Sequence, residues 1–551
     1  MAERIRFFAQ RKTFIFIMVA TYILSSVANL YRWVNNTAMH DGLQLNMEGD
    51  VWWQYALGRF MVPLYEAIRG FICSPFTIGI LATLFIGLLV YVLIRCLDIT
   101  SPLLMLAIAA VFSANAVLVH DYGWYTQFSD IQMCAYCLSA LSVYVVLLKR
   151  RMWPAAFICL FIAIGLYQAS LMFAAALVLI VMIKQLLSSL DLKQILAFFV
   201  RMLVVAFVAL VLYFICAHTI IKIVNWGEIS YDAGLNNMRA ENFFDIGRMA
   251  ATFIIPILYL FHPQTHLSVL IGIGNGLLMI GMIISCIVIG VKQSFRPSRW
   301  LLLLLCMILL PCAMTCFYWF TKDPLYERMI LSVFLFYPLC AVVVERLVGV
   351  VSANRTTRPH KTHGNIIRNF AARVKGKNKV HTTLNERIPV RIVACFLIVI
   401  FACAALYSNQ VYLRKDLENE ARLSLMTRIA DRMDATPGYK PGTTQVAFIG
   451  NLDDNTLYRD VRPAFAPQAS NRSAFLEKHT ELYMDSLVHE ETIGWGQYCY
   501  LWYFHFYLGY PIAIVEDTSA LAANPEVQAL PSFPSSECCK MVDGKLVVKL
   551  S

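Results

Sequence analysis

Residues 75–94 read PFTIGILATLFIGLLVYVLI, twenty positions without a single charge. At 1.5 Å per residue a helix of this length spans about 30 Å, the thickness of a bilayer's hydrocarbon core. Comparable runs recur along the chain, at 13–34, 102–119, 131–148, 153–166, 169–184, 195–217, 267–291, 299–319, 328–347 and 390–407. With 59% hydrophobic and 15% charged residues and a mean hydropathy of +0.61, the chain is far outside the balance of a soluble protein. The expected fold class is a polytopic α-helical membrane protein of about eleven transmembrane helices. Residues 153–184 as one helix would measure about 48 Å, too long for a single crossing, so a break is placed at Gly165-Leu166-Tyr167-Gln168. Residues 249–262 are apolar but short, and read as an interfacial or re-entrant helix. The alternative makes 153–184 one span and 249–262 another, and leaves the chain ends on the same sides.

The net charge of +11 is not a nucleic-acid signal, because the basic residues gather in the short loops between spans. Lys149-Arg150-Arg151, Lys184 with Lys193, and Lys292 with Arg296 and Arg299 fall on one side, as do the eleven Lys and Arg of 346–391. By the positive-inside rule that side is cytoplasmic, and so is the N-terminus, with the first span read as a retained signal-anchor. The predicted division is a transmembrane domain over 1–407, with an external loop at 35–74 and a cytoplasmic basic loop at 348–389, followed by an extracytoplasmic soluble α/β domain over 408–551. Within the latter a helix is expected at 411–436, a strand at 445–449, a helix near 495–508, and a hairpin turning at Asp543-Gly544. Most of the sixteen cysteines lie in apolar spans and read as small hydrophobes, Cys134 and Cys137 included. A disulfide among Cys499, Cys538 and Cys539 is open.

Candidate chemistry collects at the external loops. The segment 35–71 carries Asp41, Glu48 and Asp50, then Trp53 and the Gly58-Arg59 step. Apolar positions Leu57, Met61, Leu64, Ile68 and Phe71 predict an amphipathic helix in the interface, kinked at Pro63. A second loop, His120-Asp121-Tyr122-Gly123-Trp124-Tyr125, sets a carboxylate among aromatic rings that suit a sugar face; the same rings also fit an interfacial belt. The turn Tyr167-Gln168 and the loop ending at Lys322 and Arg328 complete the polar set. Arg or Lys there either pairs with a lipid phosphate or snorkels to the surface. Nucleotide-binding loops, nucleophile elbows and metal-ligand spacings are absent from the sequence, and neither a metal nor a cofactor is expected. Acids, cations and aromatics on one face suit transfer of a sugar from a lipid phosphate. A carboxylate serves as general base, cations stabilise the departing phosphate, and a single displacement inverts the anomeric centre. A lipid-linked sugar flippase or carrier, and an O-antigen polymerase, are the alternatives.

The pieces W-x-x-x-x-G-R (Trp53 to Arg59), G-x-Y-Q (Gly165 to Gln168), the late Arg328, and the closing Pro531-Ser532-Phe533-Pro534 and Asp543-Gly544-Lys545-Leu546-Val547-Val548-Lys549-Leu550 occur in this order. In these the chain resembles the membrane glucosyltransferases that decorate bacterial O-antigen, the serotype-converting bacteriophage enzymes and their chromosomal relatives. The resemblance implies a GT-C-type fold in the bacterial inner membrane. It also implies glucose on undecaprenyl phosphate as donor, and a sugar of the lipopolysaccharide repeat unit as acceptor at the periplasmic face. Where the family leads one to expect two neighbouring acids, this sequence has His40-Asp41. By its distance to Gly58-Arg59 Asp41 is favoured as the base, with Glu48 and Asp50 as alternatives and Asp121 as a second acid. Trp53, Arg59, His120, Trp124, Tyr167, Gln168, Lys322 and Arg328 are the expected substrate contacts.

Overall fold

The structure is a computed structural model and describes residues 2–36, 53–148, 152–224, 238, 240–321, 325–356, 388–452, 482–483 and 497–551. In chain order its helices are α1 (Ala2–Val34), α2 (Trp53–Ala56), α3 (Val62–Arg69), α4 (Pro75–Leu97), α5 (Pro102–Ser113), α6 (Ala116–Trp124), α7 (Thr126–Leu148), α8 (Trp153–Leu166), α9 (Ser170–Leu187) and α10 (Leu192–Ile223). There follow α11 (Ile246–Phe261), α12 (Ser268–Lys292), α13 (Pro297–Thr315), α14 (Phe336–Thr356), α15 (Ile388–Asp434) and α16 (Gln497–Tyr507). Among the described residues, ten stretches are long and apolar enough to cross a membrane, with α8 and α11 as shorter apolar helices. The protein is a multi-pass membrane protein. Its surface residues Val200, Phe207, Ile273, Leu277 and Leu301 are more than half exposed, which is tolerable only against lipid.

Proline and small polar residues place the helix starts. Pro75, Pro102, Pro154 and Pro297 sit in first turns, where the missing N–H costs nothing. The expected break is present: α8 stops at Leu166 and α9 starts at Ser170, so Tyr167 and Gln168 lie in the connection. Pro63 corrects the expectation of a kinked helix. It opens α3 instead, after a turn at 57–61, and leaves Leu64 and Ile68 exposed while Glu66 and Arg69 are buried.

A further correction concerns 120–125, read from the sequence as a loop. Asn115 accepts from the Leu118 N–H and caps a new helix, α6, so His120, Asp121 and Tyr122 are buried in helix. Arg32, at the end of α1, holds this helix by donating to Tyr122 O, Asn35 O and Thr126 Oγ1, each at 2.6 Å.

Instead of a span ending near 407 and a separate helix from 411, one helix of 47 residues, α15, runs through both, about 70 Å long. Its first half packs in the membrane core beside α1, α5 and α14. Its last turns, with Met426, Ile429 and Met433, enter a second core with α16 and a small sheet. That sheet has the order β4 (Ala513–Ile514), β2 (Gln445–Ile449), β6 (Lys545–Lys549), β5 (Cys539–Val542); β2 is parallel to both neighbours and β5 antiparallel to β6. The expected hairpin turns at Asp543 and Gly544, both at positive φ (49° and 74°), which is the backbone a two-residue hairpin turn requires. Two further short strands, β1 (Leu325–Tyr326) and β3 (Leu482–Tyr483), pair in parallel. None of the sixteen cysteines is in a disulfide.

Candidate active site

Three segments far apart in sequence dock at one end of the helix bundle. After α2 the chain turns at Gly58 (φ 73°), with Gly58 N–H donating to Tyr55 O and Arg59 N–H to Gln54 O. Met61 N–H then donates to Gly165 O at 3.1 Å. Gly165 permits this approach, because a Cβ there would lie 2.8 Å from Met61 Cγ and 3.2 Å from the Phe60 ring. Gln168 Nε2 completes the joint by donating to Leu57 O at 2.9 Å and to the Tyr213 hydroxyl. The W-x-x-x-x-G-R and G-x-Y-Q segments thus bind each other directly, and the Arg59 guanidinium lies 5.3 Å from the Tyr167 ring centroid.

Tyr167 connects this joint to the third segment, its hydroxyl donating to Arg328 O at 3.3 Å, alongside Tyr136 at 3.4 Å. Arg328 does not open a span, as expected from sequence. It sits in a short 3-10 turn, Glu327–Met329, with its guanidinium over Tyr125 at 4.3 Å and Tyr326 at 4.8 Å. Two ring faces fix the position of this cation.

Asp121 lies fully buried beside this cation. His120, Arg328 and Glu327 are within electrostatic reach of its carboxylate, and the Gln132 side-chain amide approaches it. Among the described residues neither carboxylate oxygen has a hydrogen bond of good geometry. A buried carboxylate left in that state costs several kcal/mol, a cost that functional sites tolerate and structural ones avoid. His120 is equally buried, its ring 6.0 Å from that of Tyr125. Glu327 accepts from the Tyr259 hydroxyl and was missed by sequence reading, although it neighbours Arg328.

Of the expected residues, the structure brings together Arg59, His120, Asp121, Tyr167, Gln168 and Arg328. Trp53 opens α2 and Trp124 closes α6, with only their backbone described. Asp41, Glu48, Asp50 and Lys322 lie outside the described residues.

Beside the site, a buried ionic cluster ties α3 to α7. Arg69 donates to Glu66 Oε2 at 2.5 Å, to Asp130 Oδ1 at 2.6 Å and to Gln127 O at 3.0 Å, while the Tyr65 hydroxyl donates to Asp130 Oδ2 at 2.9 Å. Burial pushes the Glu66 carboxyl above its ordinary range, opposed by the Arg69 charge. Burial works to lower the Arg69 value, but the charges of Asp130 and Glu66 outweigh it and raise it. An acid inside an apolar helix was a legible signal for Asp130. Below the Tyr167-Gln168 turn, an apolar groove of about 270 Å³ opens among Leu160, Leu171, Ala174, Val178, Met202 and Ala206.

Fold and site together define a multi-pass membrane protein with a buried acid and ring-held arginines at one end of its helices. A model of the glucosyl transferase GtrII family matches residues 30–345, more than half of the chain and all three docked segments. The chain belongs to the glucosyl transferase GtrII family and is a glycosyltransferase. No curated protein and no solved structure matches it.

Proposed function

We propose that this protein transfers glucose from a polyprenyl phosphate to a sugar of the lipopolysaccharide O-antigen, at the periplasmic face of the bacterial inner membrane and with inversion. The observation that carries the reading is Asp121: a fully buried carboxylate without a good hydrogen bond, next to an arginine held by two tyrosine rings. Asp121 accepts the proton of the acceptor hydroxyl. The hydroxyl oxygen forms its bond to the anomeric carbon as the bond from that carbon to the phosphate oxygen breaks. The electron pair leaves with the polyprenyl phosphate, whose charge Arg328 and Arg59 stabilise. Tyr125 and His120 offer rings for a pyranose face. The apolar groove one helical turn below Gln168 offers the lipid chain a path, since Leu171 lines it. A single displacement at one carboxylate accounts for inversion. The segment 408–551 would stand on the periplasmic side, over the site. Asp41, Glu48, Asp50 and Lys322 remain proposed partners, the first three as acids sharing the pocket and the last as a further phosphate contact.

The test is transfer by purified protein, using polyprenyl phosphate carrying radiolabelled glucose and lipopolysaccharide as acceptor. Asp121→Asn is expected to lower the rate at least about 100-fold, the usual range for losing a general base, with folding unchanged. Full activity in that variant together with loss in Asp41→Asn would move the base to the first loop. Label crossing the bilayer of reconstituted vesicles without transfer would make the protein a carrier.

A further inference from the structure

Between its two packed ends, α15 carries three buried cations, Arg414, Lys415 and Arg422. Lys415 and Arg422 are seven residues apart and share a helix face, separated along the axis by about 10 Å. That face is apolar on either side. Below, Val411 and Tyr412 belong to the membrane core; above, Leu425, Met426 and Ile429 belong to the core around the C-terminal sheet. The cations occupy the junction between the two cores, outside the 30–345 segment that the family match covers.

Arg422 is 1% exposed, and its Nε and one terminal nitrogen are buried without a hydrogen-bond partner among the described residues. A guanidinium cannot shed its proton, so burial without an anion costs several kcal/mol. Asp416, the acid next to Lys415, is engaged by the Tyr31 hydroxyl at 2.7 Å. The depth of the site follows from contacts with α1. Tyr412 meets Asn29, Asp416 meets Tyr31, and Asn419 meets Asn36 O. The apolar span of α1 ends at Val34, so Arg422 stands about one helical turn beyond the hydrocarbon edge, in the headgroup layer. The anion found at that depth in every membrane is a phosphate, and the planar fork of arginine matches it in two parallel bonds.

We propose that Arg422 forms a phosphate-binding site at the junction of the helix bundle and the C-terminal sheet, taking the phosphate of a lipid headgroup. This goes beyond the transfer reaction, and its test needs no transfer. Full-length protein in a neutral detergent is titrated with phosphatidylglycerol, with polyprenyl phosphate, with phosphate-free polyprenol, and with inorganic phosphate, reading thermal stabilisation. The lipid phosphates are expected to stabilise and polyprenol is not. Arg422→Gln weakens the apparent affinity for phosphatidylglycerol about tenfold or more, the loss of a charge-assisted fork, while Arg328→Gln leaves phosphatidylglycerol binding intact. Without ligand, Arg422→Gln melts no lower than the parent, because it removes an uncompensated charge. Stabilisation by inorganic phosphate alone, lost in Arg422→Gln, upholds the site and makes its ligand a free phosphate. Binding unchanged in Arg422→Gln, binding lost only in Arg328→Gln, or a markedly lower melting temperature of unliganded Arg422→Gln would each overturn the proposal.

Discussion

Replacing Arg69 by methionine removes the cation from a buried cluster that, among the described residues, also holds two acids. The guanidinium makes three contacts, at 2.5, 2.6 and 3.0 Å, and its side chain and both partner carboxylates are nearly inaccessible. With it in place the cluster's formal charge is −1; without it, two carboxylates face each other in a low-dielectric site. Breaking a buried pair by removing one partner costs about 3–5 kcal/mol. Methionine fills much of the volume, so the loss comes from charge rather than from a cavity. Glu66→Gln is the contrast. Burial already disfavours its ionised form, and the amide can still accept from Arg69, so the expected cost is about 1 kcal/mol. The assay is reversible unfolding in mixed micelles with increasing dodecyl sulfate, followed by tryptophan fluorescence. An Arg69→Met loss under about 1 kcal/mol, or a Glu66→Gln loss equal to it, would refute the argument that this arginine neutralises the cluster.

The Glu66 shift also sets a pH dependence. Above its ordinary value of 4.5 the folded protein retains a proton that the unfolded chain has lost, so the stability contributed by Glu66 is full below 4.5 and falls as pH rises through the folded value. Melting curves of the parent against Glu66→Gln should show that slope only in the parent. Gly165→Ala would drive a methyl to 2.8 Å from Met61 Cγ, costing about 1–3 kcal/mol and displacing the turn that presents Arg59. Transfer is expected to fall more than stability does, which rate and melting measurements on one preparation would separate. Ala174→Trp fills the apolar groove and should raise KM for a long-chain polyprenyl donor while sparing a two-isoprene donor. Equal effects on both donors would place the lipid chain elsewhere.

The membrane helices could be read directly, because hydrocarbon thickness sets a length and lipid sets a composition that no other context demands. The Gly165–Gln168 break, the strand at 445–449 and the hairpin at Asp543-Gly544 were legible for similar reasons: each depends on local geometry that glycine, aspartate or an apolar run announces. Individual site residues were legible too, Asp121 and Arg328 among them. Their environment was not. The sequence placed His120 to Tyr125 in an exposed loop, since aromatic and polar residues suit an interface. Tertiary packing made His120 to Tyr122 part of a buried helix, through the Asn115 cap and the Arg32 bonds. Sequence also treated Glu66, Asp130 and Glu327 as incidental, because a charge becomes consequential only when packing buries it beside another. The docking of Leu57 against Gln168, and of Tyr167 against Arg328, joins positions more than a hundred residues apart. Hydropathy and periodicity describe what each segment prefers as a neighbour, oil or water. Which of the many available polar partners it meets is decided by the packing of all the helices at once.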